Sequence, residues 1–143
     1  MNSYHNKSDK NTNGFILILT LFTVLILATL IIAFLNITSI DMTLVKNHMY
    51  SSQAYYIAEA GVADAINRIR LNGPLANMQW QAFFPSASSD KYTVTVSQSS
   101  TVIRSTGLAY AANFSRTLEL KVDISGSSSP YNVSINRWKE TTQ

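Results

Sequence analysis

The feature that most constrains this chain is an unbroken apolar run from Phe15 to Leu35, FILILTLFTVLILATLIIAFL, 21 residues without a charge. At about 1.5 Å per residue, a helix of that length spans roughly 30 Å, the thickness of a bilayer's hydrocarbon core; a secretory signal holds only about 7–15 apolar residues. The segment after it, Leu35-Asn36-Ile37-Thr38, is bulky and lacks a small-x-small cleavage site, so ordinary signal peptidase would leave the helix attached. Thr20, Thr23 and Thr29 cost little there, because a helical threonine can return its hydroxyl to a carbonyl one turn back. Lys7 and Lys10 precede the run and Asp41 is the first charge after it. The positive-inside bias then places the N-terminal segment in the cytoplasm and the C-terminal part outside.

With that run set aside, the 143-residue chain has room for one small folded domain. It has no cysteine, so the domain must rest on packing rather than on disulfides or thiolate metal sites. The formal charge is +3; Lys7, Lys10 and Asp9 account for +1 of it, and the remaining +2 is read as spread thinly, too dispersed to argue for nucleic acid. No phosphate-binding glycine loop, metal-ligand cluster or nucleophile-base pair occurs, and His5 and His48 stand apart, so neither a cofactor nor an enzymatic activity is expected.

From Asn36 to Leu71 there is no proline and Gly61 is the only glycine, which predicts that the helix continues past the bilayer. Asn36 to Ile40 has the weakest helix propensity and is where a local melt would fall. Tyr55, Glu59, Val62, Ile66 and Ile69 follow a 4-3-4-3 spacing that predicts a face covered by a sheet, with Asn67, Arg68 and Arg70 toward water. Ala54, Ala58, Gly61 and Ala65 make a second row, of small residues, that permits close approach by a strand or another helix. Glu59 is expected to cap or pair with a backbone or basic group of the C-terminal domain, not to act in catalysis.

Two motifs carry a family resemblance. A polar, Lys-containing leader ending in Gly14, followed directly by Phe15 and the apolar run, resembles the class III signal of type IV prepilins. The run Gln53 to Val62, with Ala58-Glu59-Ala60-Gly61 at its centre, resembles the signature of PilX-type minor pilins and pseudopilins. The resemblance implies cleavage between Gly14 and Phe15 by a membrane prepilin peptidase and N-methylation of Phe15. It implies as partners the lipid bilayer, other pilin subunits, an assembly platform and, indirectly, its ATPase. Major pilins place a Glu where this chain has Leu19, and that Glu pairs with a neighbouring subunit's N-terminal amine. Because an unpaired buried charge costs several kcal/mol, Leu19 points to a minor pilin, one candidate position being the filament tip.

Asn72-Gly73-Pro74 is a helix-stop signal. Residues 72–90 are read as a loop whose Trp80, Phe83 and Phe84 plug the sheet-helix interface. Period-two alternation predicts strands at 91–97, 101–106 and 115–124 in meander order, and Ile103 to Gly107 with Arg116 to Leu118 resembles the strand pair of minor pilins. Gly126 to Pro130 is a break, after which residues 131–138 form either an edge strand or a flexible tail.

The expected fold class is therefore α+β and pilin-like: a long N-terminal hydrophobic helix packed by its C-terminal half on a small antiparallel β-sheet. The expected function is that of a structural subunit, a minor pilin or pseudopilin, first single-pass in the cytoplasmic membrane and then in a cell-surface pilus or periplasmic pseudopilus. The alternative is an uncleaved membrane-anchored adhesin or assembly-partner module.

Overall fold

A computed structural model describes residues 9–75, 77–97 and 102–141, with side chains from residue 14 onward. Lys7, His5 and the side chain of Lys10 lie outside the described residues. One helix, α1, runs over Asp9–Asn72 and begins ahead of the Gly14–Phe15 junction. The chain divides into two compact units, one ending at Val45 and one comprising Lys46–Gln143.

Among the described residues, the first unit consists of the N-terminal part of α1. Every residue from 14 to 37 is exposed. The threonine hydroxyls return to the helix as expected: Thr20 donates to the Leu17 carbonyl at 2.9 Å, Thr29 to that of Ile26 at 2.8 Å, and Thr23 to that of Leu19. The weak stretch at 36–40 does not melt. Thr38 donates to the Phe34 carbonyl at 2.9 Å and Thr43 to that of Ser39 at 3.0 Å, so two polar side chains are satisfied without leaving the helical backbone.

In the second unit, the C-terminal part of α1 packs on a five-stranded antiparallel sheet made of β1 (Gln79–Phe83), β2 (Lys91–Ser97), β3 (Val102–Ala109), β4 (Phe114–Ser125) and β5 (Asn132–Thr141). The spatial order repeats the chain order. Tyr92, Val94 and Val96 of β2, Ile103 of β3, and Leu118, Leu120 and Val122 of β4 alternate onto the helix-facing side and form the core with α1. A single turn of 3₁₀ helix, Tyr110–Ala112, joins β3 to β4. At its C-terminus α1 stops where expected: Gly73 takes a positive φ of 83° and its N–H bonds the Ile69 carbonyl at 2.8 Å.

Two stretches differ from expectation. The segment read as a loop holds β1, whose Trp80 and Ala82 alternate inward while Gln79, Gln81 and Phe83 stay exposed. Two glutamines among five residues hid that alternation. Trp80 packs against the core, but Phe83 and Phe84 are exposed and do not plug the interface. The segment after the break is a strand, not a tail, and it continues through Thr141. It is held by cross-strand pairing with β4 and by the Tyr131 N–H to the Arg70 carbonyl at 2.9 Å.

On α1 one residue differs. Val62 and Ile69 are buried and Tyr55 and Ile66 pack against the core as expected, and the row of small residues, Ala54, Ala58, Gly61 and Ala65, is approached closely by a strand, as its composition predicts. Glu59 is exposed, and among the described residues it makes no hydrogen bond or ion pair with the sheet, so the expected pairing does not form. The reason is how closely the layers approach. A Cβ on Gly107 would collide with the Ala54 carbonyl and the Ala58 amide, so this strand lies directly on helix backbone. Such proximity admits only small side chains beneath it and leaves a long carboxylate outside.

Gly107→Ala should therefore destabilise the domain by about 1–3 kcal/mol or more, because the obstacle is backbone that cannot rotate away. Gly61→Ala meets the Ser105 hydroxyl and the Tyr92 ring, which are side chains. Ser105 Oγ is fully buried with no hydrogen-bond partner among the described residues, so adding Ser105→Ala should recover part of the Gly61→Ala loss. Thermal unfolding of the detergent-solubilised chain, followed by near-UV circular dichroism, measures both; equal losses at the two glycines would contradict the difference drawn here.

Candidate functional site

The apolar run is the element whose chemistry most needs a partner. Phe15, Leu19 and Phe22 are 67%, 57% and 63% exposed, and among the described residues nothing in the first unit covers any side chain of the run. At about 1.5–3 kcal/mol for burying each large apolar side chain, leaving the run in water would forgo tens of kcal/mol, more than the roughly 5–15 kcal/mol that holds a whole domain together. By length and composition the helix is apolar enough to cross a membrane, with a mean hydropathy of 3.0 in its most apolar window.

Of the residues singled out in the sequence, Gly14, Phe15 and Leu19 share this first unit. Gly14 lies inside α1 with nothing near its α-carbon that an added Cβ would meet. Glycine weakens a helix interior by about 1 kcal/mol relative to alanine, so the helix is locally weakened at the junction. No carboxylate lies in the run, and Leu19 presents only aliphatic surface at the position discussed above.

Glu59 and Gly61 belong to the second unit and have opposite roles. Gly61 is buried beneath Ser105 and Tyr92, whereas Glu59 points to water. The paired segments Ile103 to Gly107 and Arg116 to Leu118 are brought together as β3 and β4, with Thr106 opposite Thr117 and their hydroxyls 2.9 Å apart. Arg116 reaches from β4 to the helix, donating to Ser51 Oγ at 2.9 and 2.6 Å and pairing with Glu140 of β5 at 3.1 Å.

The polar centre of the domain is Asp64, which the sequence reading passed over. Its carboxylate accepts from Trp80 Nε1 at 2.7 Å, from the Tyr92 hydroxyl at 3.1 Å and from Arg68 Nε at 3.1 Å, while the Arg68 guanidinium lies 4.8 Å from the Trp80 ring centre. Asp64 thus ties α1 to both β1 and β2. The i,i+4 spacing of Asp64 and Arg68 was visible in the sequence, but nothing in it placed Trp80 and Tyr92 beside them. Burial pushes the Asp64 carboxyl upward, yet the three hydrogen bonds outweigh it and hold the group below the usual aspartate range. Tyr92 is pushed up, first by burial and then by its bond to Asp64.

No family model, curated protein or solved structure matches the chain. Among the described residues, no group of three or more His, Asp or Glu is placed to hold a metal ion.

Asp64→Ala removes the acceptor for two part-buried donors and should destabilise the domain by about 1–3 kcal/mol. Because the folded-state pKa of Asp64 is depressed, its contribution is present above the unfolded value near 4 and is lost as pH falls below it. The melting temperature of the parent chain should therefore drop between about pH 5 and pH 3 more steeply than that of Asp64→Ala. Parallel pH profiles for the two proteins would refute this role for Asp64.

Proposed function

We propose that the chain is a minor pilin or pseudopilin subunit, anchored in a bilayer by its apolar helix, cut between Gly14 and Phe15 by prepilin peptidase, and packed by that helix among sister subunits in a filament. The observation that carries the reading is the exposed run Phe15–Leu35 attached to a folded α+β domain, with a Gly-Phe junction at the start of the run. Lipid and neighbouring helices are the two surroundings that satisfy such a segment, since its backbone and its threonines are already hydrogen-bonded internally. Cleavage removes the cationic prefix that holds the helix in one orientation. The exchange of acyl chains for sister helices then needs no large change in hydrophobic burial, and packing of small and branched side chains decides its direction.

The position of Gly14 suits this role. Its low helix propensity lets the backbone unwind into a peptidase, and the absence of a Cβ keeps the entry narrow. Mass spectrometry of the mature N-terminus, in a strain with active prepilin peptidase, is expected to find N-methylated Phe15. An intact Met1 in that strain would refute the reading in favour of an uncleaved membrane-anchored binding module.

Leu19 bears on position in the filament. A subunit lacking a carboxylate there leaves a neighbour's N-terminal amine without a partner, an arrangement tolerated best where no neighbour must be neutralised. Leu19→Glu is expected to redistribute the protein from filament ends into the shaft, as seen by immunogold labelling of sheared filaments. An unchanged distribution would mean that the missing charge does not set position.

A further inference from the structure

The charge of the second unit is segregated, contrary to the dispersed distribution expected from the sequence. Residues 46–143 carry nine Lys and Arg against six Asp and Glu. Strand alternation and register place five of the cations, Lys91, Arg104, Lys121, Arg137 and Lys139, on the sheet face turned away from α1, against two acids, Glu119 and Asp123. The other four cations and four acids balance, so the whole excess of this unit lies on one face.

Both acids on that face are engaged. Glu119 accepts from Arg104 at 2.6 Å, and Asp123 accepts from Asn136. Lys121 lies directly opposite Arg137 across β4 and β5, with Lys139 beside them and opposite Glu119. Arg104 first, then Lys139 and Arg137, hold the Glu119 carboxyl below the usual range, yet none of Lys121, Arg137 and Lys139 is within ion-pair distance of an acid among the described residues. Like charges directly opposed across strands destabilise a sheet, and an external anion relieves that repulsion. Cations on β5 alone would be explained by protection of a free edge against pairing with other chains. That explanation does not reach Lys121, on a strand paired on both sides, or Arg104 two strands in from the edge.

Next to the cations lies a hollow of about 360 Å³ lined by Thr95, Ser97, Val102, Arg104 and Glu119. Thr95, Arg104, Glu119 and Lys139 form one row across four strands. Hydroxyls, a carboxylate acceptor and a guanidinium donor in one depression suit a sugar ring, which offers both donors and acceptors. A polysaccharide can turn its hydroxyls to Glu119 and its acidic groups to the cations beside the hollow, whereas a phosphate entering the hollow is repelled by that carboxylate. Trp138 sits opposite Leu120 on the other side of the sheet, and Phe83, an aromatic ring on this face, lies opposite Lys91 and does not line the hollow, so no ring described there offers a base a stacking surface.

We propose that the outer sheet face binds an anionic polysaccharide, with a sugar ring in the hollow at Thr95 and Glu119 and the acidic groups of the polymer on Lys121, Arg137 and Lys139. The site stands on the folded domain and is independent of whether the helix enters a filament.

The test uses the full chain in non-ionic detergent, with binding measured to immobilised alginate as the uronate probe, and with dextran and double-stranded DNA as comparisons. Alginate is expected to bind and dextran not to. The double change Lys121→Gln with Arg137→Gln should weaken alginate binding about tenfold, the scale of two exposed charge contacts, while Lys46→Gln with Arg70→Gln leaves it within about twofold. Glu119→Ala should also weaken it, although it makes the face more positive. The proposal is overturned if DNA binds as tightly as alginate at equal salt, if the two double variants behave alike, or if Glu119→Ala tightens binding as a bare charge patch requires. Melting temperatures that do not fall keep these outcomes separate from misfolding, since all five side chains are at least partly exposed.

Discussion

The folded domain depends on one close approach, that of β3 to the backbone of α1 at Gly107. With no side chain on the strand at that point, helix and sheet meet without an intervening layer, and the helix positions beneath must themselves be small: Ala54, Ala58, Gly61 and Ala65. Larger residues fill the flanks, Ile57 and Ile69 from the helix and Ile103, Leu118 and Leu120 from the sheet. The arrangement leaves Ser105 Oγ sealed in without a partner among the described residues, a local loss of the order of 1–3 kcal/mol that the surrounding packing has to offset. Around this contact the polar links are sparse and long-range. Asp64 holds the first two strands, and Arg116 holds Ser51 and Glu140. Asp90 accepts from Gln53 of the helix at 2.6 Å and from the Tyr110 amide at 2.9 Å, tying the β1–β2 connection to the 3₁₀ turn.

Much of this was legible from residue order. An uncharged 21-residue run admits few conformations, and Asn72-Gly73-Pro74 ends a helix by local chemistry alone. The three alternating segments are strands because period two is a backbone property that needs no knowledge of neighbours. What could not be read is what depends on tertiary distance. The 4-3-4-3 line through Tyr55 and Glu59 is the more hydrophobic stripe by residue type, yet Glu59 faces water and Tyr55 lies at the margin. Both stripes meet the sheet, and how closely the small one is approached is set by Gly107, a residue far along the chain. Asp64 was missed for the same reason: one carboxylate on a helix gives no sign of the indole and phenol that later strands bring to it.

Charge was the other quantity that linear order obscured. Along the chain the cations of the C-terminal half look interspersed with acids. Folding sorts them, because alternation sends Arg104, Lys121, Arg137 and Lys139 to the same side of successive strands, while Asp64, Asp90 and Glu140 go to the helix side or the loops. A net charge small for the chain as a whole thus becomes a strong local field on one surface.

The order of the sheet has a bearing on how the molecule is made. Each strand pairs with the one synthesised just before it, and α1, the support for all of them, comes first. A chain emerging from its N-terminus can therefore add strands one at a time, each finding its neighbour already present, with no segment held open for a distant partner. Only short loops close at each step, so the entropic barrier stays low. Such stepwise growth suits a polypeptide whose leading helix is engaged elsewhere while the remainder is still arriving.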